Sequence, residues 1–96
     1  MFKNINEIQV ALVELESILD REEESNWSKG VKAALLHIKS GTEDDYYSAR
    51  SIYKTMCNGS AGFMEYYIKR DDFKEQEKAN DKLDSVRDRL WDLFCC

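Results

Sequence analysis

The chain has 96 residues, too few for two independent cores, so it is read as a single domain over residues 1–96. It carries 19 acidic against 14 basic side chains for a net charge of −5, a surface that repels phosphate, which argues against nucleic acid and anionic membranes and for a basic protein as partner. Proline is absent and the longest apolar runs fall far short of a membrane span, so the expectation is an all-α protein that stays in the cytosol.

Asn4 followed by Glu7 reads as an N-cap with part of a capping box, and Ile5, Ile8, Leu12, Leu15 and Leu19 then recur at helical spacing. The first helix is expected over about residues 5–21, ended by the acidic run Glu22-Glu23-Glu24, which reads as a solvated turn. Ser25 or Asn26 is placed to cap a second helix with an apolar stripe of Trp27, Val31, Ala34, Leu35 and Ile38, and Gly41 stands where a C-terminal glycine belongs. Gly30 inside that helix costs about 1 kcal/mol relative to alanine and implies a close approach by a neighbour. Thr42 caps a third helix whose first turn holds Glu43, Asp44 and Asp45, with Ala49, Ile52, Tyr53 and Met56 facing inward.

Asn58 to Gly62 is the strongest turn signal in the chain. Phe63 to Ile68 fits a short helix or a strand; helix is preferred because no partner strand is apparent. The last helix, from about Phe73 to Phe94, buries Ala79, Leu83, Val86, Leu90, Leu93 and Phe94. The fold class that follows is a single-domain antiparallel bundle of four to five helices.

Catalytic and cofactor patterns are missing. His37, the one histidine, has no nucleophile or orienting carboxylate within a motif and reads as a partly buried helix residue. Cys57, Cys95 and Cys96 show no paired spacing for zinc and are odd in number, so reduced thiols, no metal and no cofactor are expected. The loop at 58–62 lacks the lysine and threonine of a phosphate cradle. The reading is of a binding protein, not an enzyme.

One feature opposes stability. On a wheel at 100° per residue, Glu77, Asp81, Asp84, Asp88 and Asp92 fall within about 80° of one another, opposite the apolar face. The like-charged i,i+4 pairs Glu77–Asp81, Asp84–Asp88 and Asp88–Asp92 cost roughly 0.2–0.5 kcal/mol each. Asp88 and Asp92 also sit at the helix's negative end. Arg87 and Lys78 are spaced to compensate Asp84 and Asp81 at i,i+3. Trp91 flanks the acids and, with them, forms the candidate partner-binding surface: Glu77, Asp81, Asp84, Asp88, Trp91 and Asp92. A second reading places contacts on the aromatic residues Tyr46, Tyr47, Tyr66, Tyr67 and Trp91, as in a regulatory or self-associating helical module.

Ser51-Ile52-Tyr53, Met56-x-x-Gly59-Ser60 and Asn80-x-x-Leu83-x-x-Val86-Arg87-x-x-Leu90-Trp91 together resemble a family of small bacterial helical domains of unknown function. The resemblance spans about half the chain, and Lys54-Thr55-Met56-Cys57 replaces that family's Gly-Gly-Met-Gly segment. By type, the chain is also similar to immunity proteins of bacterial toxin systems, including contact-dependent growth inhibition. That similarity implies a cytosolic, non-catalytic protein that neutralises a basic toxin, and assigns no individual residue.

Overall fold

The computed structural model describes residues 4–59 and 62–94. Four helices follow in order: α1 (Ile5–Arg21), α2 (Ser25–Ser40), α3 (Glu43–Asn58) and α4 (Phe73–Leu93). A 3₁₀ turn, Phe63–Glu65, lies between α3 and α4. Of the described residues 82% are helical and none is in a strand, so the protein is an all-α single globule. α1 packs on α2 and α2 on α3, and α4 returns to pack on α1. The apolar stripes meet in one core built on Ile8, Leu12, Leu15, Leu19, Val31, Ile38, Tyr53, Phe63, Leu83, Leu90 and Phe94.

Local chemistry sets most boundaries. The Thr42 hydroxyl accepts from the Asp45 amide at 3.1 Å and starts α3, while Gly41, at φ 74°, ends α2 in the left-handed conformation that a Cβ disfavours. Two expected caps differ. Asn4 makes no side-chain capping bond, and α2 is capped by the Glu24 carboxylate, which accepts from the Asn26 amide at 3.1 Å. A longer side chain serves here because the turn from α1 holds Glu24 close, with Glu23 at φ 58° making the bend. At α4 the cap is Asp72, accepting from the Lys74 amide at 2.8 Å. Gly30 sits where α2 and α3 approach; a β-carbon there would lie 2.8 Å from the Met56 sulfur.

The expected helix at Phe63–Ile68 forms only over its first three residues; the chain is extended beyond them. Its backbone is satisfied by side chains instead of by a strand. Asn80 accepts from the Ile68 amide and donates to the Ile68 carbonyl, both at 2.7 Å, copying the pairing of a neighbouring strand. Arg87, only 4% exposed, donates through Nη1 to the carbonyls of Phe63 (2.5 Å) and Tyr66 (3.3 Å) and through Nη2 to Asp84 (2.5 Å). Its guanidinium stands 5.7 Å from the Phe63 ring centroid. On the same residue, the Arg87 carbonyl accepts from the Tyr53 hydroxyl at 2.8 Å. Arg87 thereby joins α3, the 3₁₀ turn and α4.

Arg87→Met keeps the side-chain volume but strips the donors from two carbonyls, so urea unfolding is expected to show a loss of about 2–3 kcal/mol. Asp84→Asn, at a position 61% exposed, is expected to lose less than about 1 kcal/mol in the same measurement. Equal losses would mean that the ion pair, not the carbonyl bonds, fixes the turn.

Candidate functional site

The acidic residues of α4 are exposed, and they follow the seam where the segment from Phe63 to Arg70 lies against that helix. The placement follows from helical phase. Arg87 and Asn80 reach the segment, and Trp91, Asp84, Glu77, Asp88 and Asp81 come next around the helix toward solvent. Lys78, Lys82 and Arg89 occupy the other edge of the exposed face, while Lys74 shares the direction of Asp92 and Glu75 lies beyond the basic edge, so the separation of charge along α4 is partial.

Two shallow grooves lie along the seam. The first, about 250 Å³, is lined by Tyr67, Phe73, Gln76, Glu77, Asn80, Asp81 and Asp84. The second, about 350 Å³, is lined by Cys57, Asn58, Met64, Asp88 and Trp91. The structure therefore brings Glu77, Asp81 and Asp84 together in one groove and Asp88 and Trp91 in the other. Asp92 is exposed and lines neither. Of the two expected compensating pairs, Asp84–Arg87 forms. Lys78 and Asp81 make no ion pair among the described residues, and neither do Glu77, Asp88 and Asp92, although Lys74, Lys78 and Arg89 lie three residues from Glu77, Asp81 and Asp92 on the same helix. Asp84 serves the fold through Arg87 as well as lining the groove.

Three side chains complete the surface: Tyr67, which the aromatic reading of the sequence names, and Phe73 and Met64, which the sequence reading leaves out. Phe73 is 72% exposed, Tyr67 53% and Met64 40%. Phe73 shares its direction on the helical wheel with Trp91, the signal that could have found it. Trp91 itself is half-buried against the core, with its remaining surface in the second groove. Of the other aromatic candidates, Tyr46 is a core residue, packed on Phe94 at 6.0 Å between centroids, and is unavailable to a partner. Tyr66 is half-buried on Trp27, while Tyr47 is exposed elsewhere, on α3.

The acidic run after α1 is not a solvated turn. Arg70 grips Glu22 with both guanidinium nitrogens, one at 2.8 Å, pinning the extended segment to the end of α1. This pairing holds the Glu22 carboxyl below its usual range against the opposing effect of burial. Glu22 and Glu24, with burial as the larger cause, raise the Tyr66 hydroxyl. At the other end of α2, His37 is partly buried and its Nδ1 lies 2.7 Å from Asp45, which also accepts from the Thr42 hydroxyl. Hydrogen bonding to His37 first, and to Thr42 second, lowers the Asp45 carboxyl. This set ties α2 to α3 beside the Thr42 cap.

Among the described residues no group of three or more His, Cys, Asp or Glu side chains is arranged to hold a metal ion. No described helix is long and apolar enough to cross a membrane. Cys95 and Cys96 lie outside the described residues. A broader depression of about 450 Å³ lies on α3, lined by Arg50, Ser51, Lys54, Thr55, Asn58 and Gly59, without a carboxylate, histidine or cysteine. What stands out is thus a class of surface: an acidic seam edged with aromatic and thioether groups on a four-helix scaffold. Comparison with protein families, with characterised proteins and with solved structures finds no match to this chain.

A carboxyl held below its unfolded value stabilises the fold above that unfolded value and loses the contribution as pH falls through the folded one. Glu22→Gln is accordingly expected to lower stability by about 1 kcal/mol at neutral pH. Its urea midpoint should converge with that of the parent once the pH lies below the folded pKa of Glu22. A constant difference down through the acid range would remove Glu22 ionisation from the account.

Proposed function

We propose that this chain is a non-catalytic acidic binding protein, acting in the cytosol as an immunity protein that neutralises a basic bacterial toxin domain by covering it. The observation that carries the reading is the acidic edge of α4, with Glu77, Asp81, Asp88 and Asp92 exposed, without an ion pair among the described residues, beside Met64, Tyr67 and Phe73. A helix selected for stability alone does not gather like charges at i,i+4 and at its negative end. A surface selected for capture does, because an acidic patch steers a cationic partner at rates far above those of neutral pairs. Toxins that cut nucleic acid present lysine and arginine to phosphate, which makes a nuclease domain the fitting class. The type-level similarity to immunity proteins of contact-dependent growth inhibition points the same way.

The second reading is a housekeeping or regulatory module that docks on another protein through its aromatic side chains. Exposed Tyr47, far from the acidic edge in sequence, is the residue that favours it.

The test is co-expression with the C-terminal domain encoded immediately upstream. Cells making that domain alone should stop growing, and cells making both proteins should grow. In purified form, Asp88→Asn/Asp92→Asn should slow association by about three- to tenfold at low salt and flatten its salt dependence. Asp84 is left intact in that variant because Arg87 depends on it. The same change removes repulsion and an unfavourable dipole interaction, so the free protein should gain up to about 1 kcal/mol. Trp91→Ala should instead raise the dissociation rate. Absence of protection, or a destabilised double variant with unaltered binding, would overturn the proposal.

A further inference from the structure

The groove at the start of α4 combines two features with different chemistry. Glu77, Asp81 and Asp84 contribute carboxylates, and Tyr67 and Phe73 contribute aromatic rings that are more than half exposed. Carboxylates alone attract any cation. Exposed rings alone would suit an apolar ligand. Both in one groove match a planar cation that stacks on a ring face while its edge donates hydrogen bonds, and arginine is the side chain with that shape. Lysine, a strongly hydrated point charge, gains less from the rings.

The groove is also a fixed structure. Asn80 lines it and is buried, with its amide held by the Ile68 backbone and by the Gln76 backbone carbonyl at 2.9 Å. The Gln76 side-chain Nε2 in turn donates to the Tyr67 hydroxyl at 2.5 Å, while its side-chain Oε1 accepts from the Arg70 backbone amide at 2.9 Å. Tyr67 is therefore oriented before any ligand arrives. The fold already uses the same combination internally: the Arg87 guanidinium bonds Asp84 and stands over the Phe63 ring.

We infer that the groove formed by Tyr67, Phe73, Glu77 and Asp81 is an arginine-selective docking site for a basic partner protein, with Asp84 at its inner edge. This deepens the immunity reading and rests on it for the partner's identity. Charge complementarity sets the sign of the occupant, and the rings select arginine over lysine. Glu77 and Asp81 receive the guanidinium, since neither has an ion-pair partner among the described residues. Tyr67 and Phe73 flank its plane.

The probes are hexaarginine and hexalysine peptides, titrated into the uniformly ¹⁵N-labelled full chain. Amide shifts should concentrate at Tyr67, Phe73, Asp81 and the Gln76 side chain, and hexaarginine should bind about threefold more tightly than hexalysine. Phe73→Ser should bring the two peptides to equal affinity, whereas Asp81→Asn should weaken both. Phe73 is largely exposed, so its replacement leaves the core intact. Equal affinities for the parent protein, or shifts spread evenly to Glu23, Glu43 and Asp44, would overturn the inference. The growth assay separates the two proposals. Protection retained in full by Phe73→Ser would refute this site alone. The arginine preference without any protection would refute the immunity reading alone.

Discussion

The buried guanidinium of Arg87 is the constraint on which the connection between α3 and α4 depends. A segment that is neither helix nor strand must satisfy its carbonyl groups some other way when it is packed against a core. One arginine presents several donors in a rigid fork, enough to serve Phe63, Tyr66 and Asp84 together. Desolvating the charge is costly, and the cost is offset by bonds from Nη1 to two carbonyls and from Nη2 to the Asp84 carboxylate. With that anchor in place, Phe63 drops into the core on the Tyr53 ring and Tyr67 is left facing out. A methionine or leucine would fill the same space and leave the turn's carbonyls orphaned.

Everything proposed about binding follows from how that segment is held. Asn80 fixes its middle and Arg70 ties its end to Glu22, so the seam along α4 has a firm wall on one side. The carboxylates on the other side are then displayed in a row along α4, the last two, Asp88 and Asp92, toward the helix end that disfavours them. The like-charged i,i+4 pairs depart from the local rules of helix stability, and that departure is what the binding proposal sets out to explain.

Periodicity made the helices legible. Burial follows the 3.6-residue repeat, and the repeat locates α1 and α4 almost to the residue. Thr42 and Gly41 were readable because their roles are decided within a few residues of chain. What spacing does not reveal shares another cause. The i,i+3 pairing of Arg87 with Asp84 is legible, but the further contacts of Arg87 and those of Glu22, Glu24 and Asn80 act on groups distant in sequence or through side chains long enough to reach around a bend, and no spacing rule encodes that. Helix was favoured at Phe63–Ile68 for want of a partner strand, when the partner is a single asparagine side chain. Tyr46 lies seven residues before the inward Tyr53, within about 20° of it on the wheel, so its burial is legible in the sequence and the aromatic reading passes over it. The acidic edge is visible in the residues themselves; that Tyr67 and Met64 stand beside it requires the fold, since both belong to the irregular segment.

The order of packing has a kinetic consequence. Contacts between α1 and α2 and between α2 and α3 join neighbours in sequence and close short loops, whereas α4 must come back across the whole chain to reach α1. The first three helices can condense from local encounters, leaving α4 to dock onto a surface already present. That docking is a search by one long amphipathic helix for a single register, set by Leu83, Val86 and Leu90 against α1 and checked when Arg87 meets Tyr53 and Phe63. No proline is present to delay it by isomerisation. The acidic edge thus takes shape in the final step of assembly, and a chain that has not completed its fold has no organised seam to offer a partner.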